Sequence, residues 1–556
     1  MLRKIKIISA ILASSLAIGI TGIPCMASEE LMCGADVSSV PAYEKAGTKY
    51  GYENGQKEDA LTILHNYGVN YFRVRIWNNP YDAQGNGYGG GNCDLQNAIN
   101  IGNRAAKLGV PLFIDFQYSD FWADPSLQNA PLQWKNYTTS QKAKAIYDFT
   151  YKSLDSIIKT GATVGMVQIG NETNGSMSGM GGLFDGVWDL STGVAEGMKS
   201  GCNAVDAINK KYSLTGDKAV LKALHFTDPI TNADWYAEQA KKQGVNYDVV
   251  ALSAYPFWFG HVSDLKKAMK KIVNNYDKKV VIAETAYPYT FDNHDDSGNN
   301  IWSVNDMAAA DYDISVAGQE EAMLDIYKTM SDLNQNSETR GYGLGAFYWG
   351  PEMIGTTKEN SKKFGTGWAN QYAKSYSASY SGENECSSWD NNTLFDNNGN
   401  ALSSIKAFRA MRKYGWSWKF SDAAFSKIGK LSTDKTINDL TIKANSAKPV
   451  IYVPSYIKYN WEDYDGYLAL SGGGSISQRS VSVYVPSGAK VTLILAGDKG
   501  SRTLICSDNN GNTISKRKIN STSPETVSIT NTGKGQNLYF YSERNGINLY
   551  KIETSF

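Results

Sequence analysis

Between about residues 30 and 418, short apolar segments alternate eight times with longer amphipathic stretches. Alternation of this kind predicts parallel strands joined by helices, and eight repeats predict a closed (β/α)8 TIM barrel of the α/β class. Such barrels typically need ~250 residues, so this region must also carry long loops. The predicted strands are Met32–Asp36, Tyr71–Trp77, Pro111–Phe116, Val164–Ile169, Ala223–Phe226, Val249–Tyr255, Val280–Glu284 and Gly345–Trp349.

The pattern of the sequence changes after Trp418. Residues 419–438 have the composition of a linker, and residues 439–556 hold short alternating segments separated by turn sequences such as Asn545-Gly546. These features predict a second, all-β domain with a sandwich architecture. Because tyrosines are frequent in its first part, we expect a carbohydrate-binding module, with a structural or cell-surface spacing role as the alternative.

Residues 1–27 have the features of a secretory signal peptide. A basic start at residues 3–6 precedes an apolar run over residues 7–20, and cleavage is predicted after Ala27. The run is too short for a comfortable transmembrane helix, and a retained membrane anchor is the alternative. We therefore expect a secreted, extracellular protein that has no contact with a membrane after cleavage.

The composition excludes some classes of protein. The chain has 55 Lys+Arg and 55 Asp+Glu among 556 residues, and this zero net charge argues against a nucleic-acid partner, which a basic excess would favour. Five scattered cysteines remain if Cys25 leaves with the signal, without the paired spacing of a zinc site. One disulfide can form among them, but the sequence does not assign the pair. We expect a monomer.

Two glutamates stand at the ends of predicted strands, where a TIM barrel places its reacting groups. Glu172 follows the fourth strand and Glu284 ends the seventh. Hydrolysis of a glycosidic bond needs such a pair, since one carboxylic acid protonates the leaving oxygen while the other carboxylate attacks the anomeric carbon. We expect Arg75 to keep Glu284 ionised and Asn171 to bind the sugar 2-hydroxyl. The alternative is that each glutamate is an ordinary surface residue.

Seven motifs cover nearly the whole predicted barrel, and through them the chain resembles the endo-β-1,4-galactanases of glycoside hydrolase family 53, in clan A. The resemblance implies a retaining enzyme in which Glu172 is the acid/base and Glu284 the nucleophile. The substrate that it implies is the β-1,4-galactan side chain of pectin, also called type I arabinogalactan. The motifs are GADVS at 34–38, YFRVRIWNNP at 71–80, DFQYSDFWADP at 115–125, QIGNETNG at 168–175, SAYPFWFG at 253–260, AETAYPYT at 283–290 and SSWDNNTLFD at 387–396.

The strand ends and the resemblance together predict ten substrate-binding residues. Four of them are tryptophans, whose ring faces are expected to stack on pyranose rings. The predicted set is Asp36, Arg75, Trp77, Gln117, Asp120, Trp122, Asn171, Tyr255, Trp258 and Trp349.

Three positions depart from the family pattern. The family usually has His at Gln117, Tyr at Ala254, and Glu at Gly350. The departures leave both carboxyl groups in place but alter the wall of the site, so the subsites for substrate are expected to differ. They also keep two alternatives open: another clan A endo-glycanase, and a polysaccharide-binding surface protein without catalytic activity.

The loop at residues 292–300 is rich in Asp, Asn and Ser side chains. Oxygen ligands of this kind suit calcium, which takes 6–8 of them. Resemblance to bacterial members of the family implies a structural ion that ties this loop to the segment at residues 387–390, with no part in catalysis. The alternative is a solvated acidic turn. The predicted ligands are Asp292, Asp295, Asn299, Ser387 and Asp390.

Overall fold

A computed structural model gives the architecture of most of the chain. The predicted signal peptide and its cleavage site lie outside the residues that the structure describes. Within the described part, no helix combines the length and the apolar character needed to cross a bilayer. The described residues are 31–184, 187–189, 193–334, 341–380, 385–411, 417–437, 440–460, 462–485, 488–533 and 535–555.

The first domain is a closed barrel of eight parallel strands, which confirms the predicted fold class. Observed strand ends lie within two residues of the predicted ones. Three short strands, Ser176–Met177, Met180–Phe184 and Val187–Asp189, form a small sheet in the loop after the fourth barrel strand. The barrel strands are β1 (Met32–Asp36), β2 (Tyr71–Ile76), β3 (Leu112–Phe116), β4 (Val164–Ile169), β5 (Leu221–Phe226), β6 (Val249–Ser253), β7 (Lys279–Thr285) and β8 (Gly343–Tyr348).

Helices cover the outside of the barrel, and capping side chains fix the starts of several of them. Thr138 and Gln141 form a reciprocal capping box at the start of the fourth helix, which satisfies otherwise unpaired amides. Asp94 accepts from the Asn97 amide at the start of the third helix. The helices are α1 (Val40–Lys45), α2 (Ala60–Asn66), α3 (Leu95–Leu108), α4 (Thr139–Ile158), α5 (Val194–Lys211), α6 (Ala233–Lys242), α7 (Pro256–Phe259), α8 (Val262–Tyr276), α9 (Val316–Leu333), α10 (Lys358–Phe364), α11 (Ala407–Met411) and α12 (Ala423–Ser426).

The barrel interior changes from apolar to polar along its axis. Tyr71, Phe113 and Phe347 belong to an apolar cluster inside the barrel, separate from the cluster between strands and helices. Further along β2, the Arg73 guanidinium lies 5.8 Å from the Phe113 ring centroid. Because side chains two residues apart share one face of a strand, Arg73 and Arg75 point the same way as Tyr71. The polar groups therefore stand on an apolar floor.

The second domain consists of two antiparallel sheets, whose facing apolar side chains form one core, as in a sandwich. The strands are β9 (Ser417–Lys419), β10 (Lys430–Leu431), β11 (Lys435–Ile437), β12 (Leu440–Lys443), β13 (Val450–Tyr459), β14 (Glu462–Leu470), β15 (Ser480–Val485), β16 (Lys490–Gly497), β17 (Arg502–Ser507), β18 (Thr513–Ile519), β19 (Glu525–Thr530), β20 (Gln536–Ser542) and β21 (Ile547–Ser555). The strand order is β10-β13-β14-β21-β16-β19 in the first sheet and β11-β12-β15-β20-β17-β18 in the second. β9 pairs with β21 at the side of the first sheet.

The segment predicted as a linker contributes to this second domain. Within residues 419–437, α12 is followed by β10 and β11, and each of these strands pairs with a strand of the sandwich. Such short strands carry too few residues for a periodic pattern, so composition alone suggested a connector.

Helix α9 joins the two domains. The Tyr484 hydroxyl on β15 donates a hydrogen bond to the Glu320 carboxylate on α9. The Lys406 ammonium lies 5.1 Å from the Tyr484 ring centroid. The neighbouring residue Gln319 is buried and donates to the Tyr287 carbonyl at 2.9 Å. One helical turn therefore contacts the second domain and the loop after β7.

No disulfide bond joins the described cysteines, and all of them are buried: Cys33, Cys93, Cys202, Cys386 and Cys506.

Candidate active site

The two predicted carboxyl groups stand at the same end of the barrel. Glu284 belongs to β7 and is 7% exposed, whereas Glu172 follows β4 and is half-buried. Glu172 has a φ of +45°, a left-handed conformation that a residue other than glycine adopts only at some cost. Such strained residues concentrate at functional sites, where the surrounding structure holds them in place.

Arg73 is the cation that contacts Glu284. Its Nη2 lies 2.9 Å from Glu284 Oε1 and 3.0 Å from Asp115 Oδ2, and its Nη1 lies 2.8 Å from Asp36 Oδ2. The charge of Arg75, which the sequence predicts for this role, also lowers the pKa of Glu284, but it acts more weakly than the charge of Arg73. Both arginines face inward, but Arg73 lies two residues nearer the start of β2, in register with Asp36 of β1.

Arg75 instead supports the aromatic wall of the site. Its Nη2 donates to Ser39 Oγ at 2.9 Å and to the Gly90 carbonyl at 2.8 Å. The guanidinium carbon lies 4.3 Å from the Trp122 ring centroid, a cation–π contact. Its nearest carboxylate is that of Asp36, at 3.7 Å. Because Arg75 is 1% exposed, it holds other side chains and offers no open surface to a sugar.

The environments of the two glutamates differ in charge. Burial raises the pKa of both, but the Arg73 charge opposes this rise at Glu284, which also accepts from the Tyr255 hydroxyl at 3.0 Å. Burial and then the charge of Glu284 raise the pKa of Glu172 to about 8, and a hydrogen bond from Ser253 opposes that rise. Near neutral pH, Glu172 therefore keeps a proton and Glu284 is the group stabilised as an anion.

Asn171 is fixed by a dense set of hydrogen bonds. Its Oδ1 accepts from Arg73 Nη2 at 3.1 Å and from Gln168 Nε2 at 2.9 Å, and its Nδ2 donates to the Ala123 carbonyl at 2.8 Å. The contact of Asn171 with the sugar 2-hydroxyl stays a prediction.

Gln117 and Asp120 organise the loop after β3. Gln117 Oε1 accepts from Trp77 Nε1 at 2.8 Å and from the Ala123 amide at 3.0 Å, while its Nε2 faces Asp115 Oδ2 at 3.3 Å. Asp120 accepts from the amides of Asn79 and Leu132. Both side chains are buried, so the structure places them behind the cleft wall.

Tryptophans line the cleft, and they differ in exposure. Trp122 stacks on Trp368 with ring centroids 4.6 Å apart. The Trp349 ring is tilted by 51° to that of Trp122, with centroids 6.1 Å apart. Trp258 is 43% exposed and offers an open ring face. Trp77 has no exposed surface and packs against Trp122, so it supports the platform without being able to stack on a sugar itself.

Two of the family departures lie beside the reacting groups. The Ala254 amide donates to the Glu284 carbonyl at 2.8 Å, so this position holds β7 through its backbone. Gly350 has a φ of +65°, and a Cβ there would lie 2.8 Å from the Trp389 ring. Glycine therefore allows Trp389 to approach, and its indole Nε1 donates to the Trp349 carbonyl.

The structure brings the two predicted calcium-binding segments together. The His294 amide donates to Asp390 Oδ2 at 2.8 Å, and the Ser387 amide donates to Asp295 Oδ2 at 2.8 Å. Asp390 Oδ1 and Asn299 Oδ1 are buried without hydrogen-bond partners.

The remaining predicted calcium ligands have other contacts or are exposed. Ser387 Oγ donates to the Met353 carbonyl, and Asp292, which is exposed, accepts from Asn299 through its backbone. Across the described residues, no three His, Cys, Asp or Glu side chains are grouped to hold a metal. Asp390 and Asn299 thus fit an oxygen-seeking cation best.

Sequence reasoning missed four polar residues of the site: Arg73, Asp115, His225 and Ser253. His225 is a fully buried residue of β5, and Ser253 is the last residue of β6. Asp115, His225 and Ser253 lie at or next to the C-terminal ends of their strands, which is the signal that could have found them, whereas Arg73 lies in the middle of β2. The sequence does not predict His225 of the fifth strand as a site residue, because a lone histidine in an apolar strand is usually a core residue.

A closed parallel barrel with two carboxyl groups of unequal proton affinity at the ends of β4 and β7 defines a glycoside hydrolase. The comparison with known families is specific: the chain belongs to glycosyl hydrolase family 53, whose model matches residues 32–408. The match ends close to the end of α11, so it covers the barrel and leaves out the sandwich.

Individual relatives agree with this assignment. The chain is 41% identical over 393 residues to the endo-β-1,4-galactanase of Bacillus subtilis (strain 168), covering 69% of this chain and 86% of that protein. It is 34% identical to the arabinogalactan endo-β-1,4-galactanase of Cellvibrio japonicus, covering 66% and 92%. Among solved structures, the family 53 catalytic domain from Ignisphaera aggregans matches with a TM-score of 0.58 and 34% identity, covering 68% and 95%.

Proposed function

We propose that this protein is a retaining endo-β-1,4-galactanase that hydrolyses the β-1,4-galactan side chains of pectin. The observation that carries the proposal is the unequal pair of carboxyl groups, Glu172 with its raised pKa and Glu284 beside Arg73. The names of the two family relatives support galactan as the substrate.

The pair can perform a double displacement. Glu172 donates its proton to the glycosidic oxygen as Glu284 attacks the anomeric carbon, so the C–O bond to the leaving sugar breaks and a galactosyl ester forms. Glu172, now a carboxylate, removes a proton from water, and the resulting attack on the anomeric carbon breaks the ester. Glu172 ends protonated, Glu284 ends ionised, and two inversions give net retention.

We extend the proposal to the remaining parts of the chain. The protein is secreted through the signal at residues 1–27 and acts as a monomer. A structural calcium ion binds between the two loops through Asp390 and Asn299, whose buried oxygens lack other partners. The ion would tie the loops together and take no part in bond cleavage.

The sandwich is proposed to bind polysaccharide through tyrosines of the β13–β14 hairpin. Tyr456 is 66% exposed, and Tyr452, Tyr459 and Tyr467 are half-buried, whereas Tyr464 is buried. Affinity electrophoresis of the full-length Glu284→Ala variant in galactan gels should show less retardation when Tyr456→Ala is added. Unchanged retardation would indicate that another surface, or the barrel alone, holds the polymer.

The experiment that tests the proposed activity is hydrolysis of a substrate panel, with the products sized by chromatography. The panel contains β-1,4-galactan, β-1,3-galactan, mannan, xylan and cellulose. We expect short β-1,4-galacto-oligosaccharides from the first substrate only, with the β-anomer formed first when the products are followed by NMR. Oligosaccharides released from another glycan would identify that glycan as the substrate instead. An initial α-anomer would exclude retention, and binding without hydrolysis would identify a polysaccharide-binding protein.

A further inference from the structure

Glu172 lies at the end of a chain of hydrogen bonds that continues away from the cleft. Its Oε1 accepts from the Ser253 hydroxyl at 2.6 Å, and Ser253 Oγ lies 3.0 Å from His225 Nε2. On the other side of the ring, the Glu172 amide donates to His225 Nδ1 at 3.3 Å. The chain starts and ends on the same residue.

The hydrogen-bond partners assign the protons along this chain. The ring of His225 is neutral, because complete burial and the charge of Arg73 lower its pKa well below its usual value. A neutral ring carries one N–H. Since Nδ1 accepts from the Glu172 amide, Nε2 carries the proton and donates to Ser253 Oγ. The single proton of Ser253 is then free to point at Glu172 Oε1.

Asn171 does not compete for this arrangement. Its Oδ1 lies 3.0 Å from His225 Nδ1, but that oxygen already accepts from Arg73 and Gln168. The backbone of His225 adds a second anchor, because its carbonyl accepts from the amide and hydroxyl of Thr173. Strand β5 therefore holds the left-handed turn that carries Glu172.

We propose that Ser253 and His225 are positioning residues for Glu172: they keep Oε1 as a hydrogen-bond acceptor and leave Oε2 as the oxygen that exchanges the proton with substrate and water. Among the described residues, Glu172 Oε2 has no hydrogen-bond partner. The inference rests on the proposed acid/base role of Glu172. No proton moves along the chain, because Ser253 and His225 keep their own protons in both steps.

The arrangement serves both roles of Glu172. Burial, Glu284 and Asp124 favour the protonated form, whereas Arg73 and the donation from Ser253 favour the carboxylate. The neighbouring Tyr255 hydroxyl donates to Glu284 and not to Glu172. Ser253 is thus a neutral donor that stabilises the Glu172 carboxylate in the second step. No second cation is then needed near Arg73.

The test is the pH profile of kcat/KM on galactan, whose alkaline limb reports the acid of the free enzyme. Loss of the Ser253 donor destabilises the carboxylate, so Ser253→Ala should move this limb upward by about one pH unit. Ser253→Thr, which keeps the hydroxyl, should restore the wild-type limb. His225→Ala should move the limb in the same direction, and it should add nothing in the Ser253→Ala background because His225 acts through Ser253.

The outcomes separate this inference from the proposed function. If the alkaline limb disappears in Glu172→Gln but stays in place in a folded Ser253→Ala variant, the positioning role is overturned and the acid/base role stands. If the limb persists in Glu172→Gln, the acid/base assignment itself fails. Thermal unfolding of each variant identifies any variant that loses activity by misfolding. If Ser253→Ala misfolds, Ser253→Cys takes its place in the test.

Discussion

Arg73 Nη2 lies 2.9 Å from Glu284 Oε1, and the same guanidinium contacts the carboxylates of Asp36 and Asp115. The Arg73 guanidinium therefore forms ion pairs with three carboxylates in a buried site. Burial raises the pKa of Asp115 to about 7, with the charge of Glu284 adding to the effect. The cluster thus holds Glu284 as an anion while limiting how much further negative charge the barrel interior accepts.

Arg73→Met should lower both activity and stability. Removing one partner from a buried ion pair costs about 3–5 kcal/mol, since the remaining charges have no compensation. We expect turnover to fall by at least about 100-fold and the melting temperature to recover partly at acidic pH, where the orphaned carboxylates take up protons. Thermal unfolding and galactan hydrolysis from pH 4 to 8 measure this. Arg104→Met, which breaks a more exposed pair with Glu44, is the matched control and should change stability far less.

Glu284→Ala should abolish turnover while leaving galactan binding nearly intact. Loss of a nucleophile commonly costs at least about 10⁴-fold in kcat. Calorimetric titration with galacto-oligosaccharides and a reducing-sugar assay report the two quantities. Glu320→Gln changes a buried glutamate outside the site and should retain activity. Wild-type rates in Glu284→Ala would remove Glu284 from the mechanism.

Glu172→Ala should show a dependence on the leaving group. Bond cleavage in the polymer needs the general acid, so hydrolysis of galactan should fall by about 100- to 10,000-fold. An aryl galactobioside with an acidic phenol leaves without protonation, so its first step should be nearly unaffected. Rates on both substrates, with added azide as a nucleophile that needs no base, provide the measurement. An equal loss on both substrates would contradict the acid/base role.

Glu320→Gln should remove a pH dependence from the stability of the domain contact. Burial raises the pKa of Glu320 to about 7 from 4.5, against the opposing effects of Tyr484 and Lys406, while Glu321 and Glu53 add to the rise. A raised carboxyl pKa means that the favourable contribution is complete below pH 4.5 and is lost as pH rises to about 7. Relative to wild type, the variant should gain up to about 3 kcal/mol across this window. Melting temperatures between pH 4 and 8 that run parallel would refute this.

Calcium should raise the melting temperature if Asp390 and Asn299 bind it. A ligand at 100 times its Kd stabilises by about 2.7 kcal/mol, which corresponds to a shift of a few degrees here. Chelation with EGTA should reverse the shift, and Asp390→Ala should abolish the response to calcium. Asp82→Ala, in another loop of the barrel, should keep the response even where it lowers stability. An unchanged melting temperature with and without EGTA in wild type would exclude the ion.

The fold could be predicted from the sequence further than the site. Eight apolar segments were enough to place the barrel strands, because strand periodicity depends on local residues. The same periodicity placed Arg73 and Arg75 on one face, but it could not tell which guanidinium reaches Glu284, since that depends on depth within the closed barrel. Ser253 and His225 are adjacent only because β5 and β6 are neighbours in three dimensions.

Gln319 and Glu320 are adjacent near the start of α9; Gln319 binds the Tyr287 carbonyl after β7, and Glu320 binds Tyr484 of the sandwich. Helix α9 thus connects the sandwich to the loop that follows β7. A movement of the sandwich relative to the barrel would therefore be transmitted through α9 to Tyr287, three residues from Glu284. Removing the sandwich would consequently take away the Tyr484 hydroxyl that Glu320 binds, one residue from the contact between α9 and the loop after β7.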